Sequence, residues 1–320
     1  MEKNIDYLRL SVTDRCNLNC LYCTPFERSA FLSHEDILSY EEMTRAVKAF
    51  VKMGIRKVRL TGGEPLIKRD FIRLVRMLKG IPMLEELSLT TNGVFLKDFA
   101  VRLKQAGLDR VNISFDTLKK EKFASITGAD SFCAVWEGVL ASLDAGLIPV
   151  KLNVIPMKGI NDDEIEDFAA LTVDYPLIVR FIELFTANQR SVKYADRYLE
   201  TSAVKERITS SFGEMEESRE ITGSGPARYF TIKGAKGSVG FISGRSSIFC
   251  DGCSRIRMDC AGRICPCLFS GRTHDLRPFL KGRGSESELV EYIRDIMADK
   301  GKYRKDTDNH PQMEMSSIGG

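Results

Sequence analysis

The sequence contains no run of about 18 apolar residues and no charged-then-apolar leader at its N-terminus, so neither a membrane span nor a signal peptide is expected. Histidine is scarce: with only three, His34, His274 and His310, general-base chemistry built on imidazole has few candidates. His274, in THDLRPFL, reads as a structural hydrogen-bonding residue. A net charge of +3 over 320 residues is too slight to point to nucleic acid as a partner. Short internal repeats and low-complexity tracts are absent as well. The expectation is a cytoplasmic enzyme, long enough to bury a substantial core and to carry a second, smaller domain.

Nine cysteines are present, and in a reducing compartment clustered thiols bind metal or do chemistry more often than they form disulfides. Two triplets account for most of them: Cys16, Cys20 and Cys23 as C-x3-C-x2-C, and Cys250, Cys253 and Cys267 as C-x2-C-x13-C. Each offers three thiolates where structural zinc and ordinary electron-transfer clusters want four. A [4Fe-4S] cluster held by three thiolates keeps one iron open for another ligand, whereas the bland alternative is a set of buried or zinc-binding cysteines. Of the others, Cys133 sits in a helix-like stretch and reads as core. Cys260 and Cys265 lie close enough to the second triplet to compete as ligands.

Hydrophobic periodicity divides the first two-thirds of the chain into strand-then-helix units. Strands are predicted over 8–13, 57–61, 86–91, 110–115, 149–155 and 177–184, with helices between them, among them 40–53, 70–78, 96–105 and 132–144. Such alternation implies a parallel sheet with right-handed crossovers, and six units predict an incomplete (β/α)6 barrel. After about Phe212 the character changes: TGSGP and KGAKG punctuate short strands at 228–232 and 238–242, and a late helix at 286–299 precedes a polar tail. The boundary is expected there, with a barrel domain at 1–212 and a small α+β domain at 213–320.

Alternation within the strands carries the most direct functional inference. Leu8, Leu10 and Val12 oppose Arg9, Ser11 and Thr13; Val58 and Leu60 oppose Lys57, Arg59 and Thr61; Leu152 and Val154 oppose Lys151 and Asn153. Helices cover the outside of a parallel barrel, so the apolar faces point outward and the polar faces into the lumen, where ordinary barrels place branched apolar side chains. Buried cations such as Arg9, Arg59 and Lys151 are costly alone and make sense around an anion or water. The competing arrangement is an antiparallel sheet with one solvated face, against which the intervening helices argue.

Loops after the carboxyl ends of barrel strands are where chemistry concentrates. The first holds Cys16, Cys20 and Cys23. The second holds Gly62 and Gly63, which permit close backbone approach, and Glu64, which adds a negative charge. Thr90, Thr91, Asn92, Ser114, Asp116, Asn153 and Glu183 end later strands. Any one could cap a helix, but their recurrence supports a shared cleft.

The segment DRCNLNCLYCTP resembles the radical S-adenosylmethionine superfamily, and TGGEP in the next loop resembles its GGE motif. With LTTNG, VNISFD, KLNVIPMKGIND, RFIEL, GFISGRSSIFC, HDLRPFL and the terminal Gly-Gly, the chain resembles the GTP 3',8-cyclase family of molybdenum cofactor biosynthesis from Leu8 to Gly320. The resemblance implies two [4Fe-4S] clusters and S-adenosylmethionine. It implies a lyase in which a 5'-deoxyadenosyl radical takes hydrogen from ribose C3' of GTP and the carbon radical attacks C8 of the guanine. Cys16, Cys20 and Cys23 would hold the first cluster; Cys250, Cys253 and Cys267 would hold the second, whose open iron binds the purine. Tyr22, Gly62, Gly63, Glu64, Ser114, Asn153 and Phe185 are the implied cofactor contacts, with Glu64 in the motif that receives the methionine ammonium. Arg9, Arg59, Thr90, Lys151, Arg255 and Arg257 are the implied substrate contacts, and Arg255, Arg257, Gly319 and Gly320 assist the reaction. Implied partners are GTP and an external electron donor, with a second copy of the chain and the next pathway enzyme as candidates and no role for nucleic acid or membrane.

Four positions depart from the family pattern. Phe185 stands where a methionine contacts the adenosine, and Ser254 replaces a frequent asparagine. Cys260 and Cys265 are additions, either of which could close the open iron. Other readings are a radical enzyme with an auxiliary cluster acting on a peptide or other substrate, a non-catalytic iron-sulfur sensor, and a phosphate-binding barrel using acid-base catalysis.

Overall fold

The computed structural model describes residues 5–23, 31–186, 188–218, 225–246, 253–268, 272–282 and 284–300. The chain opens with β1 (Tyr7–Ser11), α1 (Tyr40–Lys52), β2 (Lys57–Thr61), α2 (Phe71–Lys79), β3 (Glu86–Thr91) and α3 (Leu96–Gln105). It continues with β4 (Arg110–Ser114), α4 (Lys120–Thr127), α5 (Phe132–Asp144), β5 (Val150–Val154), α6 (Ile165–Asp174) and β6 (Leu177–Ile182). Beyond these come α7 (Gln189–Val192), α8 (Thr201–Phe212), β7 (Glu216–Glu217), β8 (Arg228–Thr231) and β9 (Ser238–Ile242). The last elements are β10 (Arg255–Met258), β11 (Arg263–Cys265), β12 (His274–Asp275), α9 (Arg277–Leu280) and α10 (Glu286–Ala298).

The six strands of the repeating units pair in parallel, in the order expected from the sequence, and helices connect them. This excludes the antiparallel alternative. The strands beyond Phe212 join the same sheet rather than forming one of their own: β10 pairs in parallel with β1, and β9 in parallel with β6. The described sheet therefore runs β12-β11-β10-β1-β2-β3-β4-β5-β6-β9-β8-β7, an open arrangement whose outermost strands are antiparallel.

Local chemistry explains why the elements start where they do. α1 begins at Ser39, whose hydroxyl accepts from the Glu42 amide while the Glu42 carboxylate accepts from the Ser39 amide, a reciprocal cap that satisfies two orphan donors. β6 ends at Ile182, short of the predicted 184, because the Glu183 carboxylate is drawn to the amide of Thr201 at the start of α8 (3.1 Å) and to those of Arg245 (2.8 Å) and Ser246 (2.9 Å).

Leu8, Leu10, Val58, Leu60, Leu87, Leu89, Val111, Ile113, Leu152 and Val179 are all fully buried on the helix-covered face, against side chains such as Met43, Val47 and Phe50 of α1. Burying a side chain of this size contributes about 1.5–3 kcal/mol. The opposite face carries Arg9, Ser88, Asn112, Lys151, Arg180 and Arg257, also buried but polar. That contrast fixes the site inside the barrel.

Candidate active site

The two cysteine regions lie at opposite ends of neighbouring strands. Cys16, Cys20 and Cys23 follow the carboxyl end of β1, whereas Cys253 precedes the amino end of β10, which runs parallel to β1. Tyr7 donates its amide to Ser254 (3.2 Å), fixing the second region at the lower end of the first strand. Between the ends, Arg257, Arg9 and Arg59 stand side by side in register, followed by Ser88.

At the upper end, the loop after β2 is laced to the cysteine loop: the Gly63 amide donates to Thr13 O (2.8 Å) and the Glu64 amide to Arg15 O (2.8 Å). A Cβ on Gly62 would lie 2.3 Å from Thr13 O, and one on Gly63 would lie 2.0 Å from Arg15 O. The close approach that these glycines allow is thus to the backbone carrying the cysteines. Glu64 is buried, and its carboxylate accepts from the Leu66 amide (2.9 Å), the Thr91 hydroxyl (2.7 Å) and the Asn92 amide (2.7 Å). Burial pushes its pKa up to about 7, with the three donors opposing. Asn92 completes the link, donating Nδ2 to Asn17 Oδ1 (2.8 Å) and to Cys16 Sγ (3.7 Å).

The first triplet suits a thiolate-held cluster. Cys16 Sγ accepts from the Leu18 amide (3.4 Å) as well as from Asn92, the kind of N–H···S bond that tunes cluster thiolates. The Cys20 thiol is raised well above its ordinary value by burial and then by the nearby Cys23, Asp116 and Cys16. Among the described residues no three cysteine, histidine or acidic side chains close around a single metal ion. Tyr22 donates to Asp116 Oδ2 (2.5 Å), whose Oδ1 accepts from the Ile155 amide (2.8 Å), tying the cysteine loop to the ends of β4 and β5.

Basic side chains run through the lumen. Arg9 lies well below its ordinary pKa, first through burial and then through Arg257 and Arg59. Burial likewise brings Arg59 and Arg257 to about 10. Lys151 falls to about 6 through burial and then the charges of Arg180, Arg110 and Arg59. Within this wall Arg59 Nε donates to Ser88 Oγ (3.5 Å), and Asn153 Oδ1 accepts from Arg180 Nε (2.9 Å). The Thr90 hydroxyl is buried without a hydrogen-bond partner among the described residues, as is that of Tyr7. Leaving such groups unsatisfied costs about 1–3 kcal/mol each, a cost that a polar ligand would remove. Ser114 and Phe185 are half-buried at and beyond the carboxyl ends of β4 and β6.

At the lower end, burial alone would raise the Cys253 thiol, but Arg255 and Lys300 outweigh it and bring it down to about 7. Lys300 Nζ donates to Cys253 O (3.0 Å), lies 3.7 Å from its Sγ, and also donates to Arg255 O. A cation-backed thiolate of this kind fits the donor set of an iron-sulfur site. Cys265 and Cys267 are at the same end, and Cys265 Sγ donates to Cys267 O (3.2 Å). Cys260 is elsewhere, buried among Asp14, Asp259 and Lys68, which together with burial leave its thiol at about 12. Cys250, Gly319 and Gly320 lie outside the described residues.

Residues 10–172 match the family model for the Radical SAM superfamily, and residues 177–306 match that for Molybdenum Cofactor Synthesis C. The chain is 42% identical to the GTP 3',8-cyclase of Pelotomaculum thermopropionicum, covering 100% of this chain and 98% of that relative. It is also 42% identical to the GTP 3',8-cyclase of Heliobacterium modesticaldum, over 99% of this chain and 98% of that one. This chain belongs to the GTP 3',8-cyclase family, within the radical SAM superfamily. The solved structure of Streptococcus suis SuiB bound to precursor peptide SuiA shares the fold, with a TM-score of 0.65 at 14% identity over 92% of this chain and 67% of that chain. Membership of the superfamily carries a [4Fe-4S] cluster and S-adenosylmethionine.

Several site residues escaped the sequence reading. Arg180 interrupts the apolar run LIVRFI, and its charge in a buried strand was a usable signal. Tyr229 carried none: it reaches Lys151 because Gly240, its partner in register, leaves room for the ring, where a Cβ would lie 2.9 Å from Tyr229 Cδ1. Asn188 and Arg190 were equally silent, yet Asn188 Nδ2 donates to Cys23 O (3.1 Å) and Arg190 Nη1 to Asn19 Oδ1 (2.8 Å) and Cys20 O (3.1 Å).

Proposed function

We propose that the chain converts GTP to 3',8-cyclo-7,8-dihydro-GTP, the first step of molybdenum cofactor biosynthesis, in a chamber between two iron-sulfur sites. One observation carries the reading: the buried basic side chains Arg9, Lys151 and Arg257, with the half-buried Arg59, line the space between the two cysteine regions. Guanidinium forks fit triphosphate oxygens bidentately, and this many basic side chains facing one another carry a cost that a bound polyanion would offset.

Cys16, Cys20 and Cys23 would hold the first cluster, and Cys250, Cys253 and Cys267 the second. When bound, the first cluster and S-adenosylmethionine supply the one-electron chemistry that starts at ribose C3'. The remaining work is positional. Arg9, Arg59, Lys151, Arg255 and Arg257 hold the phosphates, and the orphaned Thr90 hydroxyl takes a further polar group of the nucleotide. Gly62, Gly63 and Glu64 lock the cysteine loop over the mouth, with Tyr22, Ser114, Asn153 and Phe185 around the cofactor. Barrel walls keep water from a reactive carbon centre. Gly319 and Gly320 are assigned to the radical step by resemblance. An external one-electron donor is required; a second copy of the chain and the next pathway enzyme are proposed as partners on resemblance alone.

Anaerobically reconstituted protein, assayed with GTP, S-adenosylmethionine and a strong reductant, should form 5'-deoxyadenosine together with a cyclised guanosine species. Deoxyadenosine formed equally well without GTP would assign the chamber to another substrate.

A further inference from the structure

Two cysteines beyond the triplets were equal candidates for an extra cluster ligand, and the fold separates them. Cys265 is directly opposite Arg257 in the antiparallel pairing of β10 with β11, and directly opposed residues share a face of the sheet. Arg257 is in register with Arg9, on the face that lines the chamber. Cys265 therefore belongs to the chamber side, almost fully buried, with its Sγ 3.2 Å from Cys267 O. Arg257 feels the charges of both the Cys265 and Cys253 thiols, so two sulfurs lie near one guanidinium at the lower end. Cys260, by contrast, packs in the hydrophobic core, and its backbone carbonyl accepts from the Leu38 amide (2.9 Å).

We propose that, in nucleotide-free protein, Cys265 supplies a fourth thiolate to the second cluster and closes the iron that a three-cysteine site would leave open. This rests on the presence of that cluster, read above from the family and from Cys253 and Cys267. The Cys265 thiol loses its proton to solvent on ligation, as the other cluster cysteines do, and the guanidinium of Arg257 stabilises the added negative charge. Nucleotide reaches this iron only by displacing Cys265, so the chain guards its second site by a competition absent from a three-cysteine site.

Oxidation distinguishes the two ligation states without any turnover. A cubane with an iron not held by protein sulfur loses it on mild oxidation, [4Fe-4S]2+ giving up one electron and one Fe2+ to leave [3Fe-4S]+, whereas four thiolates protect the cluster. Full-length protein, reconstituted without nucleotide or S-adenosylmethionine, would be titrated with ferricyanide and its [3Fe-4S]+ signal quantified by electron paramagnetic resonance. About one spin per chain is expected for the unsubstituted protein and for Cys260→Ala, and about two for Cys265→Ala and Cys265→Ser. Two spins in the unsubstituted protein, or one in both Cys265 variants at full iron loading, would overturn the proposal. Iron analysis keeps the underlying reading separate: about eight irons per chain are expected, and about four would remove the second cluster itself rather than its fourth ligand.

Discussion

The ammonium of Lys151 lies 3.0 Å from the phenolic oxygen of Tyr229, 78 residues later in the chain, and 4.8 Å from the ring centroid. A strand of the first family-model region and a strand of the second thus meet inside the chamber, and the lysine is held where its charge is hardest to sustain.

Replacing that lysine separates binding from folding. Lys151→Met removes a buried amine that must give up its proton on folding, because burial and the charges of Arg180, Arg110 and Arg59 disfavour its ammonium form, so the nucleotide-free protein should melt at a higher temperature. GTP affinity should fall roughly 10- to 100-fold, the worth of a charge-assisted hydrogen bond to phosphate. Differential scanning calorimetry and equilibrium binding check both halves; a destabilised variant with unchanged affinity would contradict the assignment.

Acidity acts through the same group. The native pKa of Lys151, about 6, lies below its ordinary value of 10.5, so the unfolded chain binds the extra proton between those limits. Its contribution to stability must therefore rise with pH across that window and be lost as pH falls toward 6. Urea midpoints at several pH values above 6 should show a positive slope that Lys151→Met reduces. Triphosphate favours the charged form, so GTP binding near pH 7.5 should take up protons, visible as a buffer dependence of the calorimetric enthalpy.

Gly63→Ala would force a Cβ to within 2.0 Å of Arg15 O, a backbone atom with no flexible end to yield. The cysteine loop would have to move, and iron retained after gel filtration should fall by about half, the share of one of the two clusters. Retention equal to that of the unsubstituted protein would show that the lacing is dispensable.

Arg190 and Asn188 hold the same loop from the other side through side-chain bonds to Asn19 Oδ1, Cys20 O and Cys23 O. Each bond is worth about 1 kcal/mol. Arg190→Ala is expected to hasten chelator-driven loss of the first cluster several-fold while leaving GTP affinity within about twofold. Arg190→Lys should restore part of the retention, because a single charge can reach one of the carbonyls but lacks the fork.

Removing Gly319 and Gly320 tests the tail. S-adenosylmethionine cleavage should persist while cyclised product falls, read by chromatography of both products from one reaction. Parallel loss of the two would show that the tail has no separate role in the guanosine step.

The barrel was legible in the sequence because parallel strands covered by helices leave a strong trace. Leu8 and Leu10 against Arg9, and Val58 and Leu60 against Arg59, specify which face is covered before any coordinate is known. The strand spans at 57–61 and 86–91 match β2 and β3 in full. What stayed hidden depends on register between distant segments. The sequence marks Arg228 to Ile232 and Ser238 to Ile242 as strands, but nothing local states that β9 pairs with β6 or β10 with β1. Glu64 shows the limit at the level of one side chain. Its charge was visible, yet its bonds to Leu66, Thr91 and Asn92 follow only from the way the loops after β2 and β3 converge.

Because β10 is the outer neighbour of β1, and β9 that of β6, a nascent chain that has emerged only through Phe212 exposes unpaired backbone along both sides of its sheet. Such edges invite association with other chains. Arg257, moreover, arrives beside Arg9 only when nearly the whole polypeptide has been made. Prematurely terminated chains should therefore depend on chaperones and lack the nucleotide chamber.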